Sequence, residues 1–153
     1  MKLGTLKNGK RDGELVVVKR DLSVWTRAAH LAPTLQAALD DWSAVEPALR
    51  ALAEQLEQGA VKGEPFDPTA LLAPLPRPYE WVDGSAYLNH VKLVRRARKA
   101  ELPPTLESDP LVYQGGTSEM VAPRGDIVVR DAAWGIDFES EVAVVLGDTP
   151  MGT

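Results

Sequence analysis

The sequence predicts an α+β fold, with a small N-terminal β-plus-helix unit over residues 1–70 and a second unit of one helix, loops and short strands over residues 71–153. Three observations predict it. Apolar residues alternate with other residues in short segments near both ends, one longer segment repeats them every three or four positions, and a run of prolines separates the two halves. With 44% hydrophobic and 25% charged residues, the 153-residue chain has the composition of an ordinary globular protein. Its formal net charge of −5 leaves no basic field for a nucleic acid, so nucleic-acid binding is not expected. The absence of cysteine excludes disulfides and thiolate metal sites and fits a reducing cytoplasm. No apolar run approaches the roughly 20 residues that span a bilayer, and MKLGTLKNGK has no apolar signal core. A cytoplasmic protein with no membrane partner is expected.

The first elements follow from MKLGTL, which alternates, KNGKRDG, which turns, and ELVVVKR, which resumes. They predict a hairpin or two short strands, with Asn8-Gly9 and Asp12-Gly13 favouring the positive φ of such turns. After Pro33, Leu35, Leu39, Trp42, Val45, Leu49, Leu52 and Leu56 fall at helical spacing, and Gly59 ends the pattern. One amphipathic helix is expected, kinked at Pro47. Its acidic positions Asp40, Asp41, Glu46, Glu54 and Glu57 read as a solvated face. Next, Pro65, Pro68, Pro74, Pro76 and Pro78 deny backbone donors and favour extended chain. A stiff connector is expected, with a polyproline ligand as the alternative.

From Asp83 onward, DGSAYLNHVKLVRRARKA predicts a helix with Asp83 as its N-cap and Arg95, Arg96, Arg98 and Lys99 near its C-terminus, where cations complement the helix dipole. Beyond Pro103-Pro104, DPLVYQGG, DIVVRD and GIDFESEVAVV read as loops and short strands.

The last of these places Asp137, Glu139 and Glu141 at alternate positions. In a strand, alternate residues share a face about 6.6 Å apart, so Glu139 and Glu141 could hold one small ion between them. Alternatively the strand shows a charged face to water or guards a sheet edge. Ala143 and Val145 continue the acidic face in apolar form, which points to the inner end of a pocket. Asp83 and His90 are seven positions apart, about two helical turns, and would point the same way. Asp83 could then add a third carboxylate to a hard divalent cation, and His90 could act beside it as a general base on water. A plain N-cap and a surface imidazole are the alternatives for these two residues. His30, in RAAHLAP, has no such company and reads as structural.

Taken together, LLAPLPRP, WVDGSAYLNHVKLVRRAR, DPLVYQGG and GIDFESEVAVVLG, with its D-x-E-x-E core, resemble the fumarylacetoacetate hydrolase family over most of residues 71–153. Residues 1–70 are similar to the N-terminal domain of longer bacterial members. The resemblance implies that the second unit is the first part of a mostly-β, fumarylacetoacetate-hydrolase-like catalytic domain. It implies metal-dependent hydrolysis of a carbon-carbon bond in a β-diketone acid such as fumarylacetoacetate or an acylpyruvate, a reaction type of aromatic amino acid catabolism. On the matching positions, Asp83, Glu139 and Glu141 would bind Mg²⁺, with Mn²⁺ or Ca²⁺ as alternatives, and His90 would be the general base. Tyr113 would lie against the substrate. Arg98 would hold a substrate carboxylate, with Arg95 or Lys99 as alternatives and the helix dipole as a competing explanation for all three. The implied partners are a small keto-acid substrate and a second copy of the chain, as a homodimer.

In the family, a later portion supplies another metal-binding Asp, a Lys and the Glu that orients the histidine, and none of these can be placed before Thr153. The expectation is therefore the N-terminal portion of a longer enzyme, inactive as 153 residues alone. Hydratases, decarboxylases and isomerases of similar keto acids share the scaffold, and a non-catalytic metal- or partner-binding fragment is the reading from a different class.

Overall fold

The computed structural model describes residues 1–116 and 118–152. It is an α+β structure with two small sheets. Strands β1 (Lys2–Leu6) and β2 (Glu14–Val18) form the expected antiparallel hairpin, with Lys2 opposite Val18 and Leu6 opposite Glu14. Gly9 and Gly13 in the connection adopt φ of 81° and 59°. At Gly13 a Cβ would stand 2.6 Å from the Leu6 carbonyl oxygen, so contact as well as torsion demands glycine there. Strands β3 (Val24–Arg27) and β4 (Glu64–Pro65) extend the sheet in the order β1-β2-β3-β4, antiparallel throughout.

Two helices stand where one was expected, α1 (Leu35–Asp40) and α2 (Trp42–Gln58). The break falls at Asp41, with φ −132° and ψ 48°, and not at Pro47, which lies inside α2. Pro47 sits early in α2, where its missing donor removes one backbone bond without ending the helix. Thr34 caps α1, its hydroxyl oxygen accepting from the Ala37 N–H at 3.1 Å, and Gly59 closes α2 in the left-handed conformation.

Strand β2, paired on both sides by β1 and β3, explains the apolar run LVVV at residues 15–18. Leu15 and Val17 pack with Leu35, Ala38, Leu49 and Leu56 on the helical side of the sheet. Val16 and Val18 point the other way, into a cluster with Leu6 and Trp25 that Phe66, Ala70 and Leu71 cover. A strand buried on both faces has no polar side to show.

The proline-rich segment therefore docks and does not run free. Leu71 bridges Leu6, and the buried Thr5 hydroxyl donates to the Pro74 carbonyl. Arg77 grips both carboxylate oxygens of Asp12, and the Tyr79 hydroxyl donates to Asp40 at 2.9 Å. The hydrogen bond from Arg77 holds the Asp12 carboxyl below its usual range, and the hydrogen bond to Asp40 pushes the Tyr79 phenol up.

Beyond this clasp, β5 (Val82–Ser85) and β6 (Leu111–Gln114) form a two-stranded antiparallel sheet, and α3 (Leu88–Ala97) lies between them in sequence. Val91 and Leu106 are buried here. Two expectations are overturned. Asp83 does not cap a helix, because it lies within β5, and α3 begins only at Leu88, with Tyr87 at the cap position. Gly84 disfavours helix, and the backbone of 82–85 finds a partner strand, which outweighs the local capping signal.

The second correction concerns DIVVRD and GIDFESEVAVV. Neither forms a strand, and a short 3-10 turn at Ala132–Trp134 separates them. Phe138 and Val142 are 89% and 86% exposed. Alternation supplies a strand with two faces, but the strand itself needs a neighbouring backbone, and no described strand pairs with this segment. No helix among the described residues is long and apolar enough to cross a membrane.

Candidate functional site

The candidate residues are carried by β5, α3, β6 and the extended segment after the 3-10 turn. Asp83 is half-buried in β5, directly opposite Tyr113 of β6. Its strand is held at its start by Trp81. The Trp81 carbonyl accepts from the Gly115 N–H at 2.9 Å, the indole Nε1 donates to the Gly116 carbonyl at 3.0 Å, and the indole lies 5.7 Å from the Tyr113 ring, tilted by 52°. Such a tilted pair is a favoured aromatic arrangement. Trp81 and Asp83 are alternate residues and so lie on one side of the chain. Neither Trp81 nor the Gly115-Gly116 pair was singled out from the sequence, although a bulky aromatic two positions from a candidate ligand and a Gly-Gly after a strand were both visible signals.

Helix α3 presents His90 in its first turn. The His90 Nε2 lies 2.9 Å from Glu139 Oε1, with the side chains 46% and 52% exposed. This contact joins two of the sequence-derived candidates. The rest are not drawn into it: Asp83 is fixed in the β5–β6 ladder, and Glu141 is exposed on the extended segment. Arg98 stands exposed at the C-terminal cap of α3, its N–H bonded to the Val94 carbonyl at 3.0 Å. Arg95 is occupied differently, donating from Nη1 to the Glu101 carbonyl at 3.2 Å. Lys99, with φ of 53°, turns the chain away from the helix. Tyr113 is 59% exposed.

The donor chemistry of Asp83, Glu139 and Glu141 suits a hard divalent cation, since all three offer carboxylate oxygen. The geometry does not match it. Among the described residues no three histidine or carboxylate side chains gather closely enough to hold a metal ion. Near this site, a cavity of about 200 Å³ opens between Ser85, Leu88, Leu106 and Ser108. That is below the roughly 300 Å³ at which small-molecule pockets begin.

Comparison with known families covers both halves of the chain. Residues 1–77 match the family model described as Fumarylacetoacetase N-terminal domain 2, and residues 80–153 match the one described as Fumarylacetoacetate (FAA) hydrolase C-terminal. Comparison with curated proteins gives no match.

Proposed function

The chain belongs to the fumarylacetoacetate hydrolase family, and we propose that within this family of hydrolase, isomerase and decarboxylase type it serves the hydrolysis of a carbon-carbon bond in a β-diketone acid. Fumarylacetoacetate and acylpyruvates are the substrate class. The reading is supported above all by His90, the family's expected base position, standing beside a carboxylate at 2.9 Å. A neutral imidazole takes a proton from water, and the hydroxide adds to the carbonyl carbon. The bond to the neighbouring carbon then breaks, its electron pair passes to that carbon as an enolate, and a proton completes the second product. Arg98, exposed at the end of α3, would hold the substrate carboxylate, and Tyr113, exposed on β6, would lie against the substrate.

A divalent cation, Mg²⁺ with Mn²⁺ or Ca²⁺ as alternatives, is part of the proposal on donor chemistry alone, through Asp83, Glu139 and Glu141. When bound, such an ion supplies charge stabilisation for diketone oxygens. A homodimer and a cytoplasmic location complete it.

The test is loss of diketone absorbance when the protein expressed from its complete coding sequence is given an acylpyruvate with Mg²⁺, with the products identified by mass. Cleavage into a carboxylic acid and a second, shorter keto acid is expected, and His90→Ala should lower kcat by about 10²- to 10⁴-fold. A product retaining every carbon would refute hydrolysis in favour of hydration or isomerisation. Loss of CO₂ would point to decarboxylation, and turnover indifferent to His90→Ala would remove the assigned base.

A further inference from the structure

We propose that Trp81 is a specificity-determining residue, whose indole forms with Tyr113 an aromatic subsite for a planar, uncharged acyl group, so that aroylpyruvates are the preferred substrates. The proposal deepens the hydrolase reading and rests on it for the place of Tyr113 against the substrate. It starts from the register of the β5–β6 ladder. Asp83 stands opposite Tyr113, and Gly115 continues the pairing opposite Trp81, its N–H donating to the Trp81 carbonyl at 2.9 Å. Residues opposite one another, and alternate residues along each strand, share a face. Trp81, Asp83 and Tyr113 therefore stand on one face of this sheet, with Trp81 diagonal to Tyr113.

Glycine opposite Trp81 lets the six-membered ring of the indole occupy the space of the missing side chain, and Nε1 fixes it there by donating to the Gly116 carbonyl at 3.0 Å. The Tyr113 ring, 5.7 Å away and tilted by 52°, makes the second wall of the corner. Trp81 is half-buried and Tyr113 is exposed, so both keep aromatic surface for a ligand. A flat conjugated group gains tilted or offset contact with two such rings, where a methyl group gains little. Charge selects in the same direction. Of the charged residues from 77 to 83, Arg77 is bound to Asp12, and Glu80 and Asp83 are carboxylates. This stretch therefore offers no free cation to an acyl group that ends in its own carboxylate, as that of fumarylacetoacetate does. In the proposed binding mode the substrate carboxylate is held by α3, which follows the Ser85 end of β5, and the acyl group lies at the Trp81 end.

The experiment measures dissociation constants of benzoylpyruvate and acetylpyruvate, with Mg²⁺, in His90→Ala protein expressed from the complete coding sequence, where slow turnover leaves both diketones intact. Benzoylpyruvate should bind the more tightly. Trp81→Leu should cut that preference by about 2- to 10-fold, the range of one aromatic contact, and Trp81→Phe, which keeps a ring, should retain it. Benzoylpyruvate, and not acetylpyruvate, should also shift the Trp81 indole N–H resonance, identified as the one lost in Trp81→Phe. A ladder merely opened by Trp81→Leu weakens both ligands alike and leaves the preference unchanged. An unchanged preference in Trp81→Leu, a preference lost equally in Trp81→Phe, an indole signal indifferent to benzoylpyruvate, or no binding of benzoylpyruvate overturns the proposal. Turnover is read separately, in the protein that keeps His90. A preference that depends on Trp81 without cleavage refutes the hydrolase and leaves the subsite intact, and cleavage without that preference does the reverse.

Discussion

Gly115→Ala tests the seat of the strand that carries Asp83. A Cβ at Gly115 would lie 1.9, 2.2 and 2.4 Å from Cε2, Cδ2 and Cζ2 of Trp81, where ordinary contact begins at 3.4 Å. The indole must retreat by about 1.5 Å, and because it is only half-buried it swings outward before the backbone gives way. That movement breaks the bond from Nε1 to the Gly116 carbonyl and the ring contact with Tyr113. The hydrogen bond contributes about 1 kcal/mol and the aromatic pair about 0.5–1.5 kcal/mol. A local loss of about 1.5–2.5 kcal/mol corresponds to a roughly 10- to 70-fold rise in opening of the β5–β6 pair. An isolated two-stranded ladder has little to spare, so the pairing of Asp83 with Tyr113 should fail with it. Amide hydrogen exchange across residues 82–85 and 111–114, with the Trp81 indole N–H resonance, reads the effect. Gly116→Ala is the control, because a Cβ there meets nothing within 4 Å. If Gly115→Ala keeps both the indole resonance and the strand protection of the wild type, the close approach of Trp81 does not hold this strand.

Two other outcomes follow from the first unit. Leu49 is fully buried among the helices and β2, so Leu49→Ala should cost about 3–4 kcal/mol and lower the urea midpoint by more than about 1 M. The emission of Trp25, 6% exposed, reports it, and a shift under about 0.5 M would show that the site collapses or was never close-packed. The Asp12 carboxyl should titrate below its ordinary 3.8, and Arg77→Ala should return it toward that value in a carbon-detected NMR titration. Because the folded value is the lower one, the clasp contributes above 3.8 and its contribution is lost as pH falls through the folded value. An Asp12 midpoint unmoved by Arg77→Ala would remove the clasp as its cause.

What was legible in the sequence depended on whether the deciding partner was local. The β1–β2 hairpin could be read because its turn glycines and alternating flanks lie within one short stretch, and Gly59 announced the end of α2 by itself. The helix break at Asp41 was missed because the leucine spacing runs through it, while Pro47 drew attention to a position the helix tolerates. Strand β3 was missed because four residues, VWTR, are too few for alternation to stand out, and β4 forms only because β3 is there to receive it. Asp83 shows the same rule working against a strong local signal. An aspartate ahead of a helical pattern reads as a cap, yet a partner strand 28 to 31 positions downstream, invisible to spacing, claims its backbone. The acidic segment is the limiting case. Its alternation is as clear as that of β1, but among the described residues no backbone answers it, and its one specific contact is made by a side chain, Glu139 to His90. Periodicity assigned both residues to a site, whereas the pairing between them required knowing where a residue of α3 stands relative to a segment that no repeat connects to it. The functional reading therefore draws its family from the sequence and its most specific testable contact from the fold.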